Sequence, residues 1–96
     1  MLRRIFKYTI DVRRGEAEFD VPQCSEIVHI GPEPSDPFDG SVLCLWMSVA
    51  PALVPKVRLK FRVLGTGMEF DGSKLIHVGS VVIRPFAWHV FEVISD

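Results

Sequence analysis

The sequence predicts an all-β fold: a compact single-domain antiparallel β-sandwich or small barrel of about seven short strands. Three observations point there. Apolar and polar residues alternate with period two from Ile5 to Val12 and again from Val57 to Val63, the signature of strands with one buried face. The run SVLCLWMSV, residues 41–49, is apolar on both parities and short, which fits a strand covered on both faces. Turn residues recur about every dozen residues, and no stretch joins helical periodicity to capping residues.

Taken in order, Leu2 to Val12 places Phe6, Tyr8, Ile10 and Val12 on one side and Lys7, Thr9 and Asp11 on the other. Arg13-Arg14-Gly15-Glu16 reads as a turn. A short strand follows with Ala17, Phe19 and Val21 inward, closed by Pro22. These two strands are expected to form a hairpin. Residues Glu26 to Ile30 make a third strand. The segment GPEPSDPFDG, residues 31–40, has three prolines, three acids and a glycine at each end, a composition that excludes regular pairing. The run 41–49 is the expected central strand. After a Pro51-to-Pro55 connection, KVRLKFRVL turns Val57, Leu59, Phe61 and Val63 inward and Lys56, Arg58, Lys60 and Arg62 outward. Two last strands, Leu75 to Ile83 and Phe86 to Ile94, are joined through Arg84-Pro85.

At 96 residues the chain, residues 1–96, has the size of one β domain. Its 24 % charged and 48 % hydrophobic residues describe a folded protein with a packed core rather than a disordered one. The basic start is followed by alternation instead of an apolar block, and the longest apolar run is interrupted by Ser48 and Pro51. Neither a secretory leader nor a membrane span is therefore expected, and the expected location is cytoplasmic. Cys24 and Cys44 lack CxxC spacing and read as free thiols.

The net charge of -1 conceals blocks. Residues 15–39 carry seven acids and no lysine or arginine, whereas residues 40–62 carry Lys56, Arg58, Lys60 and Arg62 and no acid. Arg58, Lys60 and Arg62 form a stripe with a spacing of about 7 Å along one strand face. Either this strand lies beside an acidic one and the charges offset one another, or a basic face stays open to an anionic ligand.

Gly65-Thr66-Gly67 follows that stripe. A Walker-type phosphate loop would continue into Gly-Lys-Ser/Thr and a helix; here Met68, Glu69, Phe70 and Asp71 follow. The glycines read as suppliers of positive φ for a bulge or tight turn. With the stripe they complete the candidate anion-binding set: Arg58, Lys60, Arg62, Gly65, Thr66 and Gly67. His29, His77 and His89 have no partner at metal-ligand spacing, so no metal site is expected. No serine lies in a nucleophile elbow, and the cysteines lack an adjacent histidine. No catalytic residue and no cofactor is assigned. In AWHVFEV, residues 87–93, Trp88 and Phe91 are the expected interface residues of a homo-oligomer, most simply a dimer.

The motifs IFKYTI, Val21-Pro22, IVHIG, a central strand with Trp46, FRVLGTG, HVGSV and WHVFE occur in order across nearly the whole chain. In this they resemble a family of small uncharacterised proteins of phages and prophage-carrying bacteria. That pattern most often has His after the second glycine of GTG, where this chain has Met68. The resemblance implies a phage-encoded compact β domain and brings no catalytic residues. By analogy, the expected function is that of a non-enzymatic accessory protein in the infected host's cytoplasm. It would act as a counter-defence factor sequestering a nucleotide-like immune signal. Two alternatives stand beside it: inhibition of a host defence nuclease through the acidic loop Glu33 to Asp39, and a structural or virion interaction module.

Overall fold

The structure, a computed structural model, describes residues 2–50 and 55–95. The expected connection from Pro51 lies outside these residues up to Pro55. Seven strands appear among the described residues: β1 (Arg4–Asp11), β2 (Glu16–Pro22), β3 (Glu26–Pro32), β4 (Val42–Val49), β5 (Lys56–Gly65), β6 (Leu75–Ile83) and β7 (Phe86–Val93). They form two antiparallel sheets, one ordered β1-β4-β3 and the other β2-β5-β7-β6. The fold is a β-sandwich.

The core between the sheets is built by the alternation that the sequence displays. Ile10, Leu43, Leu45 and Met47 enter it from one sheet, and Val21, Phe61, Val63, Ile83 and Val90 from the other. Strand β4 is central in its sheet: on its inner side Leu43, Leu45, Met47 and Val49 are buried, whereas on its outer side only Cys44 is buried and Val42, Trp46 and Ser48 are partly covered.

One expectation is corrected. The first two strands do not form a hairpin: β1 pairs with β4 and β2 with β5. Between them Val12–Arg14 makes a single 3-10 turn. Asp11 caps this turn by accepting a hydrogen bond from the Arg13 amide, and Gly15 leaves it at φ 73°, a left-handed conformation that glycine tolerates without strain. This turn carries the chain from one sheet to the other. Tyr8 and Phe19, which a hairpin would have placed in one sheet, meet across the sandwich with ring centroids 5.1 Å apart.

The partner that β2 does find is the basic strand. Glu16 stands opposite Arg62, Glu18 opposite Lys60 and Asp20 opposite Arg58, so opposite charges face each other along the ladder. Two bulges, between Ile27 and His29 in β3 and between His77 and Gly79 in β6, each insert one residue. Beyond a bulge the side-chain parity is inverted, and in β6 this decides which residues meet.

Candidate functional site

The outer face of the four-stranded sheet gathers most of the polar chemistry that the sequence singled out. The middle of its β5 row is already engaged. Arg58 Nε lies 2.7 Å from Glu18 Oε2 and its Nη1 lies 3.2 Å from Asp20 Oδ1. Lys60 Nζ stands 3.9 Å from Glu16 Oε2. Arg62 differs: it forms no ion pair with any described residue. Its neighbour across β7 is Phe91, and Phe91 in turn stands opposite His77 of β6. Arg62, Phe91 and His77 thus form one row across three strands, and Leu64, His89 and Ser80 form the next.

Within these rows a chain of hydrogen bonds joins two strands, β6 and β7, and the turn after β5. Thr66 Oγ1 lies 2.9 Å from His89 Nε2, His89 Nδ1 lies 2.8 Å from Ser80 Oγ, and Ser80 Oγ lies 2.9 Å from His77 Nε2. The Ser80 hydroxyl has one proton and two imidazole neighbours, so at least one ring nitrogen must be the donor to it. Such a chain runs in either direction and offers donors or acceptors at its ends as a ligand requires. Among the described residues no three histidines, cysteines or carboxylates come together as a metal group.

Aromatic packing fixes the site. Phe91 is covered by Phe70 at a centroid distance of 4.6 Å and by the edge of His77 at 5.3 Å. With Leu64, Leu75 and Val93 it makes a small second core outside the sandwich. The segment that follows β5 therefore folds back over the sheet and puts Phe70 onto it. Between this segment and β7 lies a hollow of about 270 Å³ lined by Gly65, Thr66, Gly67, Met68, His89 and Phe91, among others.

The two glycines have different reasons to be there. Gly67 has φ 91°, as expected of a turn residue. Gly65 is not in the left-handed region; a Cβ on it would stand 3.4 Å from the Trp88 ring and 3.7 Å from Met68 Sδ. It lets the indole lie across the strand. No anion cradle of converging amides is built here: the Gly65 amide faces Met68 Sδ at 3.1 Å, and the Met68 amide bonds to the Gly65 carbonyl.

Of the six residues of the candidate anion set, the structure brings Arg62, Gly65, Thr66 and Gly67 to the end of the sheet face that carries the histidines. Arg58 and Lys60 stay with the acids of β2. Trp88 packs against the main core and Phe91 is buried beneath Phe70, so both are occupied within the chain. The reading of isolated residues did not find His77, Ser80, His89 or Phe70. The signal that locates the polar chain is Gly79 in HVGSV, which marks a bulge; strict alternation would put His77 and Ser80 on opposite faces.

The acidic loop is engaged with its own chain. Glu33 accepts from Lys7 Nζ at 2.9 Å and from the buried Cys44 thiol at 3.2 Å. The Lys7 ammonium above all, then the Cys44 thiol, lower its carboxyl to a pKa of about 2. Burial first, and then Glu33, pushes the Cys44 thiol up. Asp39 accepts from the Ser41 hydroxyl and amide.

A family model described as a domain of unknown function, DUF7352, matches residues 1–96. No curated protein and no solved structure matches the chain.

Proposed function

Because the chain belongs along its whole length to the DUF7352 family of domains of unknown function, we propose a function from its own side chains. It is a non-enzymatic binding protein that takes a nucleotide-like anion on the outer face of the four-stranded sheet. One observation carries this reading: Arg62, without an ion pair among the described residues, stands in a row with Phe91 and His77, beside the Thr66-His89-Ser80 chain. A guanidinium supplies charge-assisted bonds to a phosphate. The hydroxyls and imidazoles supply donors, and the half-exposed Phe70 supplies a surface for a base.

The resemblance to phage proteins supports the biological form of this reading. A phage-encoded factor in the cytoplasm of its host would withdraw a nucleotide immune signal by holding it. The hollow is shallow, so retention calls for a second copy closing over the same face, which agrees with a homodimer. The inhibitor alternative has less support, since Glu33 and Asp39 are committed to partners in their own chain.

Calorimetry and thermal shift with a panel of cyclic mononucleotides and dinucleotides test the proposal. Wild type is expected to bind a member of the panel, and Arg62→Ala to lose about 1.5–3 kcal/mol of that binding, with an unchanged melting temperature. Absence of binding to every nucleotide by the wild type overturns it.

A further inference from the structure

The edge strands β1 and β2 belong to different sheets, and at the margin where they meet the sandwich is open. A cleft of about 360 Å³ lies there, at the small end of the range of roughly 300–1,000 Å³ that holds small ligands. Phe6, Tyr8, Pro22 and Val49 contribute apolar surface to it. Phe6 remains 45 % exposed, although its parity in β1 is that of the core residues Tyr8 and Ile10. An aromatic ring on the inner parity of a strand, left open to solvent, is surface that a ligand can cover with gain.

The charges around the cleft decide what kind of ligand. Arg4 and Lys56 stand on its rim, and neither forms an ion pair with any described residue. The acid on the rim, Asp20, is held by Arg58 Nη1 at 3.2 Å. Tyr8, which also lines the cleft, forms no hydrogen bond through its hydroxyl with any described residue. An apolar wall with two cations that no described residue pairs matches an apolar ring carrying one anionic group.

We propose that this cleft is a second binding site, separate from the Arg62 face, for a small amphipathic organic anion: an aromatic body seated on Phe6 and Tyr8, and a carboxylate, sulfonate or phosphate held by Arg4 and Lys56. The site does not depend on the nucleotide reading, because it shares no residue with the Arg62 face.

Anilinonaphthalene sulfonate is the probe. It is expected to bind the folded protein saturably, one per chain, with a rise in fluorescence and with NMR shift changes centred on Phe6, Tyr8 and Val49. The double variant Arg4→Gln/Lys56→Gln is expected to bind about tenfold more weakly or worse at an unchanged melting temperature. Lys74→Gln, which removes a positive charge away from the cleft, is expected to bind like wild type. Neutral phenyl naphthylamine is expected to bind at least about tenfold more weakly than the sulfonate. Non-saturable binding, shift changes centred elsewhere, equal affinity in the double variant, or equal affinity for the neutral probe each overturns the proposal.

Discussion

Ile30 stands against Gly79 so closely that a Cβ on the glycine would lie 2.6 Å from Ile30 Cδ1. This is the seam where β3 of one sheet packs on β6 of the other. Gly79→Ala is expected to destabilise by roughly 1–3 kcal/mol, the usual cost of overpacking. Ile30→Val removes the colliding methyl, so in the double variant most of that loss is expected to return. Denaturant titration of the four proteins of the cycle checks it, and additive losses would show that the contact is not the cause.

The two glycines of the GTG turn are expected to separate by mechanism. Gly67→Ala forces a Cβ onto a residue at φ 91° and should cost about 1 kcal/mol or more. Gly65→Ala meets no backbone penalty, only the Trp88 ring at 3.4 Å. Its cost is expected to fall when Trp88 is replaced by Phe, whereas that of Gly67→Ala is expected to stay the same.

Thiol chemistry should divide the two cysteines. Cys24 is exposed and Cys44 buried, and the Cys44 thiol is pushed up by burial and by Glu33, which leaves little thiolate for reaction. A colorimetric disulfide reagent at neutral pH is expected to titrate one thiol in the native protein and two in denaturant. Cys24→Ser should abolish the native reaction, and two fast thiols in the native state would contradict the buried contact.

Acid should reach Glu33 late. Its folded pKa of about 2 lies below the ordinary 4.5. The stability linked to this depression is therefore fully present above about pH 4.5 and is lost as pH falls through about 2. Lys7 is shifted upward from 10.5, chiefly by the same bond, so its share is lost only as pH rises through that higher value. Carboxyl NMR is expected to show Glu33 titrating near 2 in wild type and clearly higher in Lys7→Met, though still below the ordinary range because the Cys44 and Ser35 bonds remain. Equal values in the two proteins would remove Lys7 as the cause.

How far the sequence could be read depends on whether a feature is local. Period two in β1 and β5 follows from residues next to one another in the chain and was legible; the expected cover on both faces of β4 holds on the inner side and at Cys44, while Val42, Trp46 and Ser48 are only partly covered. Also legible was the offsetting of acids and bases between β2 and β5, as one of two open readings, because each strand carries one sign on one parity. The turn at residues 12–15 was not: a hairpin loop and a crossing between sheets draw on the same polar and glycine residues, and the choice is made by which strand offers a better face. The polar chain of Thr66, His89, Ser80 and His77 was hidden because one inserted residue, Val78, inverts the alternation that a reader applies to β6. Phe70 was hidden because a loop that folds back onto a sheet leaves no period to count.

The crossing between sheets also governs when this chain can fold. The first three strands, β1, β2 and β3, have no partner among themselves: β1 and β3 both pair with β4, and β2 pairs with β5. During synthesis the amino-terminal residues must therefore stay unpaired until β4 has emerged, and β2 must wait for β5. The β1–β4 and β2–β5 pairings each close a long loop before they return any contact energy, which places folding in the milliseconds-to-seconds class of sandwiches rather than among fast local folders. A nascent chain stopped after β3 is expected to be a substrate for chaperones and proteases, and protection of β1 and β3 should begin when β4 has emerged.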